Sequence, residues 1–220
     1  MEFYDREKEI AQLQKWEELS FGRAQMTVIV GRRRIGKTAL IKKAIEGKAA
    51  LYFFVAKKNE ALLCEEFVEL IGTGLEVKVI GQLRDFKSVF EYLMQLSVER
   101  HFTLVLDEFQ EFFNINPSVY SDMQNIWDEY KDRSKMHLIL CGSVYSLMKR
   151  IFENAHEPLF QRANHRIVLR AFNIEVLKKI LLDHYPKFTN ADLLAFGDRR
   201  GCSVYRITDR GAGFHVGCDY

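Results

Sequence analysis

The feature that most constrains the fold is a glycine-framed loop between an apolar strand and a helix. Residues 26–30 read MTVIV, and residues 31–38 read GRRRIGKT, which fits the pattern G-x-x-x-x-G-K-[ST]. The strand before the loop and the helix after it supply the structural context that this pattern requires. The segment therefore predicts a phosphate-binding loop, with a ligand-free glycine turn as the alternative.

The spacing within this loop has a physical reason. A phosphate chain needs several backbone N–H groups directed at one point, and glycine permits the close approach that this demands. The positive end of the following helix dipole faces the same point. Lys37 is then placed to contact the outer phosphates, and the Thr38 hydroxyl is placed to bind Mg²⁺. The predicted nucleotide-contacting residues are Gly31, Arg32, Arg33, Arg34, Ile35, Gly36, Lys37, Thr38 and Ala39. For the three arginines, a solvent-facing position is the favoured interpretation.

The composition is that of an ordinary globular protein. The 220 residues are 48% hydrophobic and 28% charged, with a formal net charge of +2, so charge gives no argument for nucleic acid or a membrane. No apolar run reaches 18 residues and the N-terminus is charged, which predicts neither a secretory signal nor a membrane span. Four cysteines without C-x-x-C spacing are typical of a reducing compartment, and a cytoplasmic location is expected.

Apolar and amphipathic segments alternate along the chain. Besides residues 26–30, strands are predicted at 49–55, 101–106, 136–141 and 166–169, and helices at 59–71, 86–98, 119–130 and 174–182. Five apolar strands that alternate with helices predict a parallel sheet covered by helices on both faces. Residues 3–19 predict a first helix with Asp5 as its N-cap. Phe3 and Arg6 are candidates to pack on a nucleotide base, although a helix that covers a sheet edge explains them equally well.

A carboxylate pair follows the third predicted strand. Residues 103–108 read TLVLDE, which places Asp107 and Glu108 at the end of a buried strand. Asp107 is expected to hold Mg²⁺ through its water shell, and Glu108 to accept a proton from an attacking water. The alternative is a solvated acidic turn. Gln110 either lines the same site or caps a helix.

Two further polar residues are candidates for the site. Ser143 follows the strand at 136–141 and is expected either to orient the water or to cap the helix 144–150, or to do both. Arg162 precedes the last strand and is a candidate arginine finger, in its own site or in that of a neighbour. Arg166 and Arg170 are nearby competitors for this role.

The joint occurrence of these segments resembles a known family. FYDREKEI at 3–10, GRRRIGKT, LVLDEFQEF at 104–112, LILCGSVYSLM at 138–148 and PLFQRANHRIVLRAF at 158–172 are similar to the archaeal-type ATPases of the AAA+/STAND assemblage. The resemblance covers about residues 2–196. It implies ATP and Mg²⁺ as ligands, with Lys37 and Thr38 as the phosphate and magnesium residues. It also implies that Asp107 and Glu108 are the magnesium and catalytic pair, and it matches Ser143 and Arg162 to the polar sensor position and the family arginine.

The resemblance also implies a domain organisation. Residues 1–172 are expected to form a three-layer P-loop sandwich whose five-stranded parallel sheet is of the additional-strand type, and 173–196 to begin a small helical region. The family usually continues into a winged-helix domain, and some members carry a nuclease-like domain, through which a protein or DNA partner would bind. Here the similarity stops near residue 196. The glycine-rich tail 197–220 is predicted to be out-of-frame or truncated sequence, with a divergent segment as the alternative. Self-association is left open.

Three functions fit these residues. The first is ATP hydrolysis coupled to a conformational switch. The second is a nucleotide-dependent regulatory binding module with little turnover, linked through the family resemblance to DNA or defence. The third is a small-molecule kinase, which the Asp-Glu pair disfavours because a kinase needs an acceptor-activating group and an arginine-rich lid.

Overall fold

The backbone alternates between strands and helices in the predicted order. Residues 4–79 and 81–198 are described by the structure, which is a computed structural model. The strands are β1 (Gln25–Val30), β2 (Ala50–Phe54), β3 (Phe102–Asp107), β4 (Met136–Gly142) and β5 (His165–Val168). The helices of the first half are α1 (Glu7–Ser20), α2 (Lys37–Ala44), α3 (Glu60–Gly74) and α4 (Phe86–Glu99). Those of the second half are α5 (Phe112–Ile115), α6 (Val119–Tyr130), α7 (Tyr145–Glu153), α8 (Ile174–His184) and α9 (Asn190–Asp198). A 3-10 helix, Phe109–Glu111, precedes α5.

The five strands form one sheet in the order β2-β3-β4-β1-β5, and all the pairs are parallel. Strand β4 lies between β1 and β3, which is the additional-strand arrangement that the family resemblance implies. Val30 pairs with Gly142, and Phe54 pairs with Asp107. The carboxyl ends of these strands therefore meet at one edge of the sheet, where ligands of open α/β sheets bind.

Successive residues of each strand contribute to different sides of the sheet. One side packs against α3, α4, α6 and α7 through residues such as Val28, Leu104 and Leu138. The other side packs against α1 and α2 through residues such as Ile29, Val105 and Ile139. Because both faces are covered, β1, β3 and β4 are buried along their whole length. This explains why the strands read as continuous apolar runs and confirms the predicted three-layer α/β fold.

The last two helices pack on each other beyond the sheet. Ile180 and Leu181 of α8 form a small cluster with Leu193 of α9, against which Tyr4 and Phe172 also pack. The assignment of residues 173–196 to the start of a separate small helical region stays a prediction. Residues 199–220 of the predicted tail lie outside the described residues. Among the helices that are described, none combines the length and apolarity needed to cross a bilayer.

The predicted start of the first helix is wrong by one residue. Helix α1 begins at Glu7, and its N-cap is Arg6, whose side chain makes no capping bond. Asp5 lies one position before this N-cap and so cannot cap the first turn; its φ is 48°. Phe3, a predicted base contact, lies outside the described residues.

Candidate nucleotide-binding site

The glycine-framed loop joins the end of β1 to the start of α2. Gly36 is the N-cap of α2 and has a φ of 88°, a conformation that favours glycine. At Gly31, a Cβ atom would lie 2.3 Å from Cδ1 of Ile35 and 2.8 Å from the carbonyl oxygen of Leu169. Both framing glycines are therefore required by the local geometry, one by its backbone angle and the other by the close approach of its neighbours.

The side chain of Lys37 is folded back into this loop. It is only 6% exposed, and its Nζ donates to the carbonyl oxygens of Gly31 and Arg32, both at 2.9 Å. Together with the amino end of α2, the ammonium group makes the inner side of the loop a positively charged environment. The arrangement fits an anion at the end of the helix, as the sequence motif predicts.

Asp107 lies directly beside the loop. Its Oδ2 accepts a hydrogen bond of 3.0 Å from the hydroxyl of Thr38, and its Oδ1 accepts one of 2.9 Å from the backbone N–H of Glu108. The hydroxyl of Tyr52, on the neighbouring strand β2, also donates to Oδ2. Burial, and then the adjacent Asp107 carboxylate, raise the pKa of Tyr52, so this hydroxyl stays protonated and acts as a donor. Asp107 is 3% exposed and is held by three donors.

Glu108 is oriented by two side chains from different elements. Its φ of 55° turns the chain sharply out of β3. Its Oε2 accepts a hydrogen bond of 2.7 Å from Oγ of Ser143 and a second from Nε2 of Gln110. The alternative in which Ser143 caps the next helix is wrong, because α7 begins at Tyr145 with Val144 as an N-cap that has no side-chain bond. The structure brings Ser143, Gln110 and Glu108 together.

Arg162 lies near the amino ends of the strands, opposite the carboxyl ends where the loop and Asp107 meet. Its Nε and Nη2 donate to Oδ2 of Asp128 at 3.1 and 2.9 Å. Two residues later, Asn164 exchanges backbone and side-chain hydrogen bonds, both of 2.8 Å, with Met26 at the beginning of β1. Five extended residues separate Met26 from Gly31, which is about 17 Å at 3.3 Å per residue. The structure therefore does not bring Arg162 to its own site, and action on a neighbouring subunit stays a prediction.

The other predicted arginines occupy different surroundings. Arg6 is 7% exposed; its Nη2 donates to the carbonyl oxygen of Arg170 at 2.6 Å, and its guanidinium lies 4.5 Å from the ring centroid of Phe172. It therefore joins α1 to the segment before α8. Arg166 pairs with Glu153 on α7. The loop arginines, Arg32, Arg33 and Arg34, are exposed, in agreement with the favoured interpretation.

The donor set next to the loop suits a small hard cation. A hydroxyl oxygen and one carboxylate, both already in contact, are the protein ligands expected for Mg²⁺ bound together with phosphates and water. Within residues 4–79 and 81–198, no cluster of three or more histidine, cysteine or acidic residues offers a metal an all-protein site. Thr38 and Asp107 therefore fit Mg²⁺ better than a metal that requires an all-protein cage.

Tyr52 is the site residue that sequence reasoning missed. It belongs to an apolar run that is fully explained as a buried strand. Only the register, in which Tyr52 pairs with Val105, places its side chain on the same face as Asp107 two residues further along β3. A tyrosine within an otherwise aliphatic and phenylalanine-containing strand was the available signal, since a buried hydroxyl requires a partner.

Residues 3–192 match the ATPase domains that occur predominantly in Archaea. The chain belongs to this family. An uncharacterized protein of Methanocaldococcus jannaschii is 27% identical over 185 residues, which are 84% of this chain and 38% of the relative. An uncharacterized ATP-binding protein of the same organism is 27% identical over 161 residues, 67% of this chain and 44% of the relative. This member of the archaeal ATPase family thus spans less than half the length of both relatives.

Solved structures support the same fold. The Walker-type ATPase of Pyrococcus abyssi superposes with a TM-score of 0.68 at 18% identity, covering 91% of this chain and 65% of that one. The ORC2 protein of Aeropyrum pernix, in its ADPNP–ADP complexes, superposes with a TM-score of 0.62 at 19% identity, covering 82% and 51%. At these identities the likeness shows the P-loop fold of the archaeal ATPase family and its relatives, and not a shared partner.

Proposed function

We propose that this domain binds ATP together with Mg²⁺ and hydrolyses the terminal phosphate. The observation that carries the proposal is the contact between Thr38 and Asp107, whose oxygens lie 3.0 Å apart. This contact joins the phosphate-binding loop to the acidic end of β3. A loop alone would support phosphate binding, whereas a carboxylate pair at its side also provides a metal ligand and a base.

Each residue has a distinct role in the proposed reaction. Lys37 exchanges its two carbonyl partners for phosphate oxygens, and the loop N–H groups hold the phosphate chain. Thr38 and Asp107 bind Mg²⁺, which supplies positive charge against the developing charge of the phosphates. Glu108 accepts a proton from the attacking water, and Ser143 helps to fix this carboxylate.

We further propose that turnover is coupled to a conformational change at the segment that joins β5 to α8. The contact between the buried Arg6 and the half-buried ring of Phe172 joins this segment to α1, so we propose that a movement at the nucleotide is transmitted through it to α8 and α9. Partners of the complete protein, whether protein or DNA, stay proposals because the relatives extend well beyond this chain.

The decisive experiment compares ATP binding with phosphate release. Lys37→Ala is expected to lose binding, and Glu108→Gln is expected to bind ATP normally while phosphate release falls by about 100-fold or more. Lys43→Ala on the same helix and Glu129→Gln on α6 are matched controls, since both residues form exposed ion pairs. Hydrolysis that survives both site variants would disprove the assignment, and tight binding without measurable wild-type turnover would favour a regulatory binding module.

A further inference from the structure

The side chain of Gln110 is buried in an unusual way. It is completely inaccessible, yet its Oε1 has no hydrogen-bond partner among residues 4–79 and 81–198. Its Nε2 makes one hydrogen bond, to Oε2 of Glu108. The amide cannot be turned over, because the exchanged position would bring its oxygen against a carboxylate oxygen. The hydrogen bond to Glu108 thus determines which way the amide group of Gln110 is turned.

The amide of Gln110 packs closely against Gly142 and Met148. A Cβ atom at Gly142 would lie 2.6 Å from Oε1 of Gln110 and 2.4 Å from the sulfur of Met148. A side chain at this position would require Gln110 or Met148 to move. The backbone carbonyl of Gln110 also accepts a hydrogen bond from the hydroxyl of Tyr120 on α6, at 3.4 Å.

A buried amide with an unpaired oxygen lowers the stability of the fold. A buried acceptor without a partner has lost its hydration and gained nothing in exchange, so an apolar side chain of the same length would suit the fold better. The contact that Gln110 does make is with Glu108. The terminal torsion of a glutamate is broad, and one donor leaves it free to rotate. Ser143 and Gln110 donate to the same oxygen from different elements, which fixes the plane of the carboxylate. In the part of the chain that the structure describes, Oε1 of Glu108 accepts no hydrogen bond.

We propose that Gln110 is a positioning residue for hydrolysis, which holds the carboxylate of Glu108 so that its free oxygen faces the attacking water. The inference deepens the proposed function and rests on it. Because the side chain of Gln110 is fully inaccessible, we expect its removal to act on turnover and not on nucleotide binding.

The kinetic test uses Gln110→Met, which keeps the length of the side chain and removes the amide. We expect kcat to fall about tenfold, KM and ATP affinity to change less than about twofold, and the melting temperature to stay constant or rise. Gln95→Met, at an exposed glutamine that bonds to Tyr130, is the matched control and leaves kcat unchanged. A purely structural role would instead lower the melting temperature, and an unchanged kcat would overturn the proposal.

A spectroscopic test examines the contact without turnover. The side-chain amide resonances of Gln110 are assigned by their loss in Gln110→Met, and in the nucleotide-free protein they are expected to shift in Glu108→Ala but not in Gln95→Met. If the chemical shifts of these resonances are the same in Glu108→Ala as in the wild type, the proposal is overturned even in an active enzyme. If the shift occurs but the wild-type chain releases no phosphate, the contact is real and the proposed hydrolysis, with the role of Gln110 in it, is wrong.

Discussion

Thr38 and Asp107 are 69 positions apart in the chain, and their side-chain oxygens lie 3.0 Å apart. The distance is short because β4 alone separates β1 from β3, so the loop after β1 and the turn after β3 meet at the same edge. The parallel register that aligns the strand ends also brings Tyr52 to the same carboxylate. The order of the strands therefore brings together Thr38, which belongs to the loop motif, and Asp107, which does not.

Removal of the Tyr52 hydroxyl is expected to weaken Mg²⁺ binding. Tyr52→Phe keeps the ring that packs near α2 but leaves Asp107 with one side-chain donor fewer. Loss of such an outer partner typically reduces metal affinity 10- to 100-fold, and we expect about tenfold here because Thr38 and the Glu108 N–H still hold the carboxylate. The measurement is a Mg²⁺ titration of the binding of a fluorescent ATP analogue.

The affinity of Tyr52→Phe for the analogue in the presence of EDTA serves as the internal reference and should equal that of the wild type. Tyr92→Phe, on the distant helix α4, is the matched control. If analogue binding by Tyr52→Phe depends on the Mg²⁺ concentration as it does in the wild type, the hydroxyl of Tyr52 does not contribute to Mg²⁺ binding.

Substitution of Gly31 is expected to disrupt the loop. In Gly31→Ala the new methyl group meets the backbone oxygen of Leu169, which cannot yield easily because Leu169 N–H donates to the carbonyl of Val30 at 2.8 Å. We expect a loss of about 1–3 kcal/mol in the free energy of unfolding, together with weaker ATP binding. Gly72→Ala is the control: its nearest atom is 3.6 Å away and the position is helical, so stability should stay the same or rise. The free energies of unfolding of both variants and the wild type are measured by urea denaturation. Equal values for Gly31→Ala and the wild type would contradict the steric argument.

The sequence predicts what depends on local pattern and misses what depends on register. The loop at 31–38, the five strands and the helices on both faces follow from motif and periodicity. The position of Asp107 beside Thr38 follows from the rule that parallel strands end at one edge. Tyr52 and Gln110 could not be placed in this way, because their partners are set by the strand register and by a turn with positive φ at Glu108. For Arg162, by contrast, the family motif suggests a role as an arginine finger. The connection into β5 instead places it near the amino ends of the strands, away from the loop.

Arg162 is expected to make no contribution within its own subunit. Arg162→Ala, assayed at a concentration where the chain is monomeric, should retain phosphate release within about twofold of the wild type. The reason is its distance from the loop, about the length of β1. The ion pair with Asp128 is partly exposed, so its loss should change stability by no more than about 1 kcal/mol.

The role of Arg162 on a neighbouring subunit is tested by mixing. Arg162→Ala retains the site, whereas Lys37→Ala retains the arginine. At concentrations where subunits associate, a mixture of the two therefore exceeds the summed rates of the separate variants only if the residue acts between subunits. A tenfold loss in monomeric Arg162→Ala would contradict the geometry. Analytical ultracentrifugation at the assay concentration establishes which state is being measured.

Acid is expected to destabilise the fold through His137. This residue lies within β4, is 1% exposed and contacts the hydroxyl of Thr27 at 2.9 Å. Burial, with smaller contributions from His165 and His101, lowers its pKa to about 3 from an ordinary value of 6.5. The unfolded chain therefore binds a proton below pH 6.5 that the folded chain excludes, and stability present above that pH is lost as the pH falls towards 3. Between pH 7 and pH 5 the loss from this group is about 2 kcal/mol.

The contribution of His137 is isolated by comparing variants, because other groups titrate over the same range. His137→Gln retains a polar contact for Thr27 but cannot titrate, so its free energy of unfolding should decline between pH 7 and pH 5 by about 2 kcal/mol less than that of the wild type. His156→Gln, at an exposed histidine, should decline as the wild type does. Urea denaturation at several pH values supplies the slopes. Parallel slopes for the wild type and His137→Gln would mean that the buried ring accepts a proton without cost and that the interior of β4 is open to water.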